Sequence, residues 1–464
     1  MKIITFTILS FLVLNPILAQ VDLPNTLSKT EKIYGLSKFW QEVNYNFVYL
    51  NQIDKEKWNQ DYIDLIDLVQ KTDNDYEYYR LLQRFCATLK DGHTNVYFPR
   101  AIDSLLYTTW FGDYRLVLTN IDGKAIVTQV NPSKKAEIPI GTEIIEVNGQ
   151  ATKDYAEKFV KPYIASSTDF ILENNTIAWL LQSMSQTKYD LKLRKPDGEV
   201  FSLEIKHDKV TEEAMYPPIA DRNLLDFKWL EGDIAYLSLN GFGDPKIDSL
   251  FLVKLPELRK AKKLIIDLRY NGGGDTGIGT AILQYLTYDK VLYGSATQSR
   301  LHIPAFKAWG NWVTPKDTLS GSEEDRQWSK QALLSHQDNY YHKFPYNPTT
   351  INLKKKERLV IPTVLLIGNN TASAAEDFLI AADKQKHMVK IGQPTFGSTG
   401  QPMFFDLPGG GSFRVCTKKD TYPDGRPFVG YGIQPDIFVK KTLDDFMKNQ
   451  DPALEKAIQY LKRK

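Results

Sequence analysis

Sulfur and histidine are scarce in this chain. Its 464 residues include two cysteines, Cys86 and Cys416, and six histidines. Two thiols cannot build a disulfide framework or a four-thiolate metal site. The histidines are scattered, with no HExxH and no close pair, which weakens the case for a metalloenzyme. A strong charge of one sign is missing too: 58 Lys and Arg against 56 Asp and Glu leave +2, too balanced for an electrostatic grip on nucleic acid. Beyond the first twenty residues no apolar run is long enough to span a bilayer. Hydrophobic residues at 42% and charged ones at 25% match a soluble globular protein. At a typical ~150 residues per domain, the length predicts about three domains.

The first residues differ from the rest. Lys2, the apolar run Ile3 to Leu14 and the tail Asn15-Pro16-Ile17-Leu18-Ala19 have the three-part form of a secretory signal peptide, with cleavage after Ala19. No Cys follows, so no lipid-attachment thiol is expected. The expected location is outside the cytoplasm, periplasmic or secreted. In such a compartment Cys86 and Cys416 could pair or remain buried free thiols.

Three patterns divide the mature chain. Residues 20–105 read as a helical bundle, with Leu36, Phe39, Trp40 and Val43, then Tyr62, Leu65, Ile66 and Val69, at helical spacing. Tyr78 to Leu89 gives a third helix, closing at Lys90-Asp91-Gly92. Residues 106–210 read as β-rich, with short strands separated by Asp122-Gly123, Asn131-Pro132 and Asn148-Gly149 turns and one helical stretch near Asn174 to Ser185. From 211 to 464, strands Ile234 to Leu239, Leu264 to Leu268, Thr363 to Ile367 and Val389 to Ile391 alternate with helices, predicting a crossover α/β core. Within it, residues 296–350 are polar, aromatic and irregular, a lid, a substrate wall or a surface insertion.

Two strand ends run into loops of small residues. Leu264 to Leu268 leads to Asn271-Gly272-Gly273-Gly274, where main-chain N–H groups can approach a substrate closely. With no Gly-Lys-Ser/Thr and no GxGxxG spacing, phosphate binding is poorly supported. Val364 to Ile367 leads to Thr371-Ala372-Ser373-Ala374-Ala375-Glu376. Ser373 there opens a helix whose positive end favours a developing anion. Ser373 to Glu376 also reads as a capping box, a purely structural role. A serine nucleophile needs a base. His93 lies in a tight Asp91-Gly92-His93-Thr94 loop, whereas the other five histidines lie in polar or charged stretches readable as surface.

Taken together, the loop Leu89 to Thr94, the IIDLRxNGGG block ending at Gly274 and the block Thr371 to Glu376 resemble the S41 serine peptidases, the carboxy-terminal processing proteases and their tricorn-core relatives. Residues 141–149 look like the late strand and turn of a PDZ domain, and Gly430 to Ile437 is similar to the family's GxGxxPD ending. The resemblance implies an α/β multidomain protein: an N-terminal helical bundle, a PDZ-like β-rich domain and a ClpP/crotonase-like crossover core. It implies a serine endopeptidase acting on a peptide or protein substrate, without cofactor or metal. Ser373 matches the nucleophile, His93 the base of the tricorn-like branch, and the N–H groups of Gly272 or Gly273 and Ala374 the oxyanion hole. The sequence departs from the family at three places. Ser398 in Phe396-Gly397-Ser398 replaces the Lys of the processing-protease branch, Gly92 replaces the Ser that would support the His, and Val429 stands where a Glu is expected. Asp91, Glu376 and Tyr431 are the candidates left to orient His93. The rival expectation is a catalytically silent peptide- or ligand-binding relative on the same scaffold.

Overall fold

The computed structural model describes residues 23–219 and 221–464; the expected leader at 1–19 lies outside them. Among the described residues no helix is long and apolar enough to cross a membrane.

Helices Lys29–Asn46, Lys55–Val69 and Asp75–Ala87 form the N-terminal unit. Each is started by a side chain that accepts from its first turn: Ser28 from Glu31 N–H, Asp54 from Lys57 N–H, Asn74 from Glu77 N–H. Such caps contribute about 1 kcal/mol each. Leu36, Phe39, Val43, Leu65, Leu82 and Phe85 face one core, but the helices do not close it. Its remaining wall is Phe413, Val415 and Cys416 from the hairpin Pro402–Asp406 and Ser412–Cys416. That hairpin pairs with Asn95–Tyr97, placing Asn95 opposite Arg414 and Val96 opposite Phe413. A stretch more than 300 residues downstream therefore completes the N-terminal core and fixes the chain just after His93. Cys86 and Cys416 are both buried as free thiols.

The middle unit is an antiparallel sheet in the order Val200–Lys206, Lys188–Arg194, Glu143–Val147, Lys124–Val130, Tyr114–Ile121, Trp110–Phe111. Positive φ at Asp122 (55°) and Gly123 (78°) gives the two-residue hairpin turn expected there. The helix expected at 174–185 instead spans Asp169–Ala178 with Trp179 as its C-cap, and Ser183–Met184 forms a strand paired with Leu106–Tyr107. His207, expected at the surface, is fully buried. Its ring stacks on Phe111 at 4.4 Å and its nitrogens meet the carbonyls of Trp110 and Leu181 at 2.8 and 2.6 Å.

The α/β core holds a six-stranded sheet in the order Leu225–Leu230, Ile234–Leu239, Lys263–Asp267, Thr363–Ile367, Met388–Gly392, Ile437–Phe438. All neighbours are parallel except the first pair. Every residue of Thr363–Ile367 is buried, as a strand covered on both faces requires. Side chains alternate between two cores: Leu264, Ile266 and Leu365 face helices Lys246–Leu258, Thr276–Leu283 and Ala374–Ala382, while Ile265, Val364 and Leu366 face the C-terminal helix Pro452–Lys462. Arg269 pins that helix, since its guanidinium bonds the buried Asp267 (2.6 Å) and Asp451 (2.8 Å), the helix N-cap.

Residues 296–350 are more regular than their composition suggests. They contain helices Pro304–Gly310 and Glu323–His336 and strands Ala296–Arg300 and Tyr341–Lys343. A capping box, Ser322 with Asp325, starts the longer helix, and Phe306, Trp309 and Trp328 pack together between the two. The segment is docked by charge: the buried Asp338 accepts from Arg300 at 3.2 Å, from Lys307 at 2.8 Å and from Lys55 of the N-terminal unit.

Candidate active site

Ser373 sits between the fully buried strand Thr363–Ile367 and the helix Ala374–Ala382, every residue of which is buried. Its backbone is strained, with φ 55° and ψ −120°, a conformation that costs a residue with a Cβ about 1–3 kcal/mol. The surroundings enforce it. Ser373 N–H donates to Glu376 Oε2 at 3.0 Å, and Glu376 N–H donates to the Ser373 carbonyl at 2.7 Å, so the first turn is closed through the serine's main chain. The helix then directs its positive end at the serine.

The glycine run packs against this turn. Gly273 has φ 97°, and a Cβ there would lie 2.7 Å from Ser373 Cβ and 2.8 Å from the Ala372 carbonyl oxygen. Gly274 has φ 135°, and a Cβ there would fall 2.2 Å from the backbone of Phe242. Only glycine meets both demands at once. Asn271 ties the loop down: its Nδ2 donates to the Leu239 carbonyl at 3.0 Å, its carbonyl accepts from Ala372 N–H at 3.0 Å, and its Oδ1 accepts from Gly273 N–H at 3.0 Å. Of the three expected oxyanion donors, Gly273 N–H is thus engaged. Those of Gly272 and Ala374 have no hydrogen-bond partner among the described residues.

Glu376 is fully buried and joins the serine turn to the next strand's loop. Besides Ser373 N–H it accepts from Thr395 Oγ1 at 2.5 Å and Gly397 N–H at 2.8 Å. Burial pushes its carboxyl up to about 8, against the pull of those hydrogen bonds. It is a brace under Ser373, and its bonds do not include the imidazole of His93.

His93 is held by Ser398. Its Nδ1 lies 2.6 Å from Ser398 Oγ, one residue beyond the Gly397 N–H that Glu376 binds. Around the ring, Gly400 is in close contact, since a Cβ there would come within 3.2 Å of His93 Cβ and 2.7 Å of Cys416 Sγ. Thr94 Oγ1 accepts from Cys416 N–H at 3.0 Å, which registers the loop on the hairpin. Burial, helped by Arg414 and Lys418, lowers His93 to about 4 against the opposing pull of Asp420. At neutral pH the imidazole is therefore uncharged and able to accept a proton.

The other expected orienting groups lie elsewhere. Asp91 is buried, its oxygens accepting from Thr94 Oγ1 at 2.7 Å and Ser167 Oγ at 3.3 Å, and burial raises its carboxyl; it shapes the loop rather than meeting the ring. Tyr431 is 64% exposed. The group on the imidazole is the Ser398 hydroxyl, which the sequence displayed only as the residue replacing a lysine. The hint was a hydroxyl in a loop bound to the serine's helix; its pairing with a residue 305 positions away has no local signature.

Residues 233–439 match the model of Peptidase family S41. Over 334 residues, 70% of this chain, the sequence is 24% identical to the carboxy-terminal processing protease CtpA of Bacillus subtilis strain 168. It is 30% identical over 92 residues, 20% of this chain, to the carboxyl-terminal-processing protease of Synechocystis sp.. The chain spans 55% of the length of the first relative and 22% of the second. Among solved structures, mature CPAF complexed with lactacystin has the same fold, with a TM-score of 0.64 at 16% identity over 94% of this chain and 97% of that one.

Proposed function

We propose that this chain, whose residues 233–439 match the model of peptidase family S41 and whose fold is that of mature CPAF, is an exported serine endopeptidase with Ser373 as nucleophile and His93 as general base. The observation that carries this reading is the strained Ser373 at the mouth of a buried helix with Gly273 packed on its Cβ. No structural cap needs such a conformation, and a nucleophile presented between a strand end and a helix does.

In the proposed reaction the Nδ1–H of His93 donates to Ser398 Oγ, which leaves the Nε2 lone pair for the Ser373 hydroxyl. His93 takes that proton as Oγ attacks the peptide carbonyl carbon. The tetrahedral oxyanion is met by the N–H groups of Ala374 and Gly272 and by the helix end. Collapse breaks the C–N bond while His93 returns the proton to the leaving nitrogen. Water repeats the sequence on the acyl-enzyme, restoring Ser373 and releasing the new carboxylate. The PDZ-like reading of the β-rich unit gives it a peptide-holding role by strand addition. Export rests on the form of the first nineteen residues.

The rival reading, a silent binding relative, draws support from the engagement of Gly273 N–H by Asn271 and from Val429. A fluorophosphonate probe separates the two. Wild type is expected to be labelled and to hydrolyse members of a mixed peptide library, and Ser373→Ala to do neither. Folded wild type that takes no label and cuts no peptide overturns the enzyme reading.

A further inference from the structure

In the β-rich unit, Ser167 and Thr168 immediately precede the helix Asp169–Ala178, yet their hydroxyls do not serve it. Thr168 is the N-cap residue, where a hydroxyl ordinarily accepts from its own first turn, and here no such bond forms. Its Oγ1 donates instead to the Phe396 carbonyl at 3.2 Å, in the loop that carries Ser398. Ser167 Oγ accepts from Gly92 N–H at 2.9 Å and donates to Asp91 Oδ1 at 3.3 Å, so both residues before His93 hang on one hydroxyl. Further along the helix, Asn174 Nδ2 donates to Asn369 Oδ1 at 3.1 Å, in the loop that leads to Ser373. Asn369 Nδ2 in turn donates to the Pro394 carbonyl at 2.8 Å.

The His93, Ser398 and Ser373 loops thus share one reference, the start of a single helix. That reference is firm. Ile171 and Thr176 of the helix are buried, and Ile177 belongs to the core of the β-rich unit together with Ile164 just before the run. The contact with the Ser398 loop is close, since a Cβ on Gly397 would lie 2.6 Å from Thr168 Cγ2. Thr168 itself is buried, so its bond to Phe396 is not traded freely for one to water. Side chains that give up a local cap to hold distant loops in register are what a reaction sensitive to small displacements requires.

We propose that Ser167 and Thr168 are positioning residues for the base: Ser167 sets the chain that carries His93 and Thr168 the loop that carries Ser398, so the imidazole and its hydroxyl partner are placed against one helix start. Neither residue meets the reacting atoms; they act through Gly92 and Phe396. This role rests on the peptidase reading and deepens it by naming what holds the two halves of the pair together.

The test exchanges shape against hydroxyl in the full chain. Thr168→Val keeps the shape and loses the hydroxyl, while Thr168→Ser keeps the hydroxyl and loses the methyl. With a fluorogenic peptide as substrate, Thr168→Val and Ser167→Ala are each expected to lower kcat about tenfold with KM within about twofold of wild type, and Thr168→Ser to keep kcat within about twofold. The second readout needs no turnover. In protein carrying isotopically labelled histidine, the His93 ring signals are identified by their loss in His93→Gln. At neutral pH wild type is expected to show the Nδ1–H tautomer, and Ser167→Ala and Thr168→Val a mixture with the Nε2–H form. A tautomer unchanged in both variants overturns the role, as does a kcat loss that follows the methyl rather than the hydroxyl. Should one of the two variants fail to fold in thermal denaturation, the other decides. A wild type that cuts no peptide while the variants disturb the ring removes the peptidase reading alone. An active wild type whose ring is undisturbed in the variants removes the positioning role alone.

Discussion

The two halves of the candidate site are held by different physics. Ser373 is fixed locally: strand, strained residue and helix follow one another within twenty residues, and Gly273 and Glu376 close the arrangement by contact with the turn itself. His93 is fixed at long range, by a hydroxyl from residue 398, a backbone N–H from residue 416 and a strand pairing with residues 412–414. A locally strained loop tolerates no change of backbone geometry. A loop held by distant side chains tolerates small changes one contact at a time.

Paired glycine substitutions give the largest contrast. Gly273→Ala sets a Cβ against backbone at positive φ and is expected to cost about 3 kcal/mol or more, with probe labelling of Ser373 nearly lost. Gly400→Ala meets chiefly the Cys416 thiol, a side chain that can shift, and is expected to cost about 1–2 kcal/mol. Thermal denaturation and labelling rates measure both, and equal costs would erase the distinction.

A smaller effect is expected at the imidazole. Ser398→Ala should lower kcat/KM about 10- to 100-fold with stability within about 1 kcal/mol of wild type, because it removes an orienting bond and leaves the packing. The same series tests the state of the ring. His93 must be unprotonated to act, so activity falls as pH drops through its pKa. With that value lowered to about 4 by burial and by Arg414 and Lys418, the ascending limb of kcat/KM should lie well below the ordinary histidine range near 6.5. A limb at 6.5 would mean a ring far more solvated than the structure shows.

The smallest effect sharpens the comparison from the other side. Ser373→Gly removes the residue for which φ 55° is strained and should raise stability by about 1 kcal/mol relative to Ser373→Ala, in denaturant melts of two equally inactive proteins.

This contrast also marks how far the sequence could be read. The glycine run, the serine turn and the strands beneath them were legible because each is encoded by neighbours: apolar runs for strands covered on both faces, small residues for a tight turn, Glu three residues after Ser. The three helices before His93 were equally plain from their spacing. What escaped reading was non-local. Ser398 as the imidazole's partner, and the closure of the helical core by Phe413 and Val415, depend on register between distant segments, which no single stretch records. The helices at 304–310 and 323–336 escaped for another reason. Their burial is slight, so composition looked like loop, and their order comes from a capping box and from Asp338 gathering three cations.

The hairpin at 402–416 carries a consequence for synthesis. A nascent chain displays its histidine loop early and its serine much later, but the strand that seats the histidine emerges only after both. Incomplete chains thus lack the pairing that seats the His93 loop even when the Ser373 turn has been made. Because that contact spans so much sequence, it forms late in folding. The His93 loop is accordingly unseated until the strand that ends at Cys416 has been made.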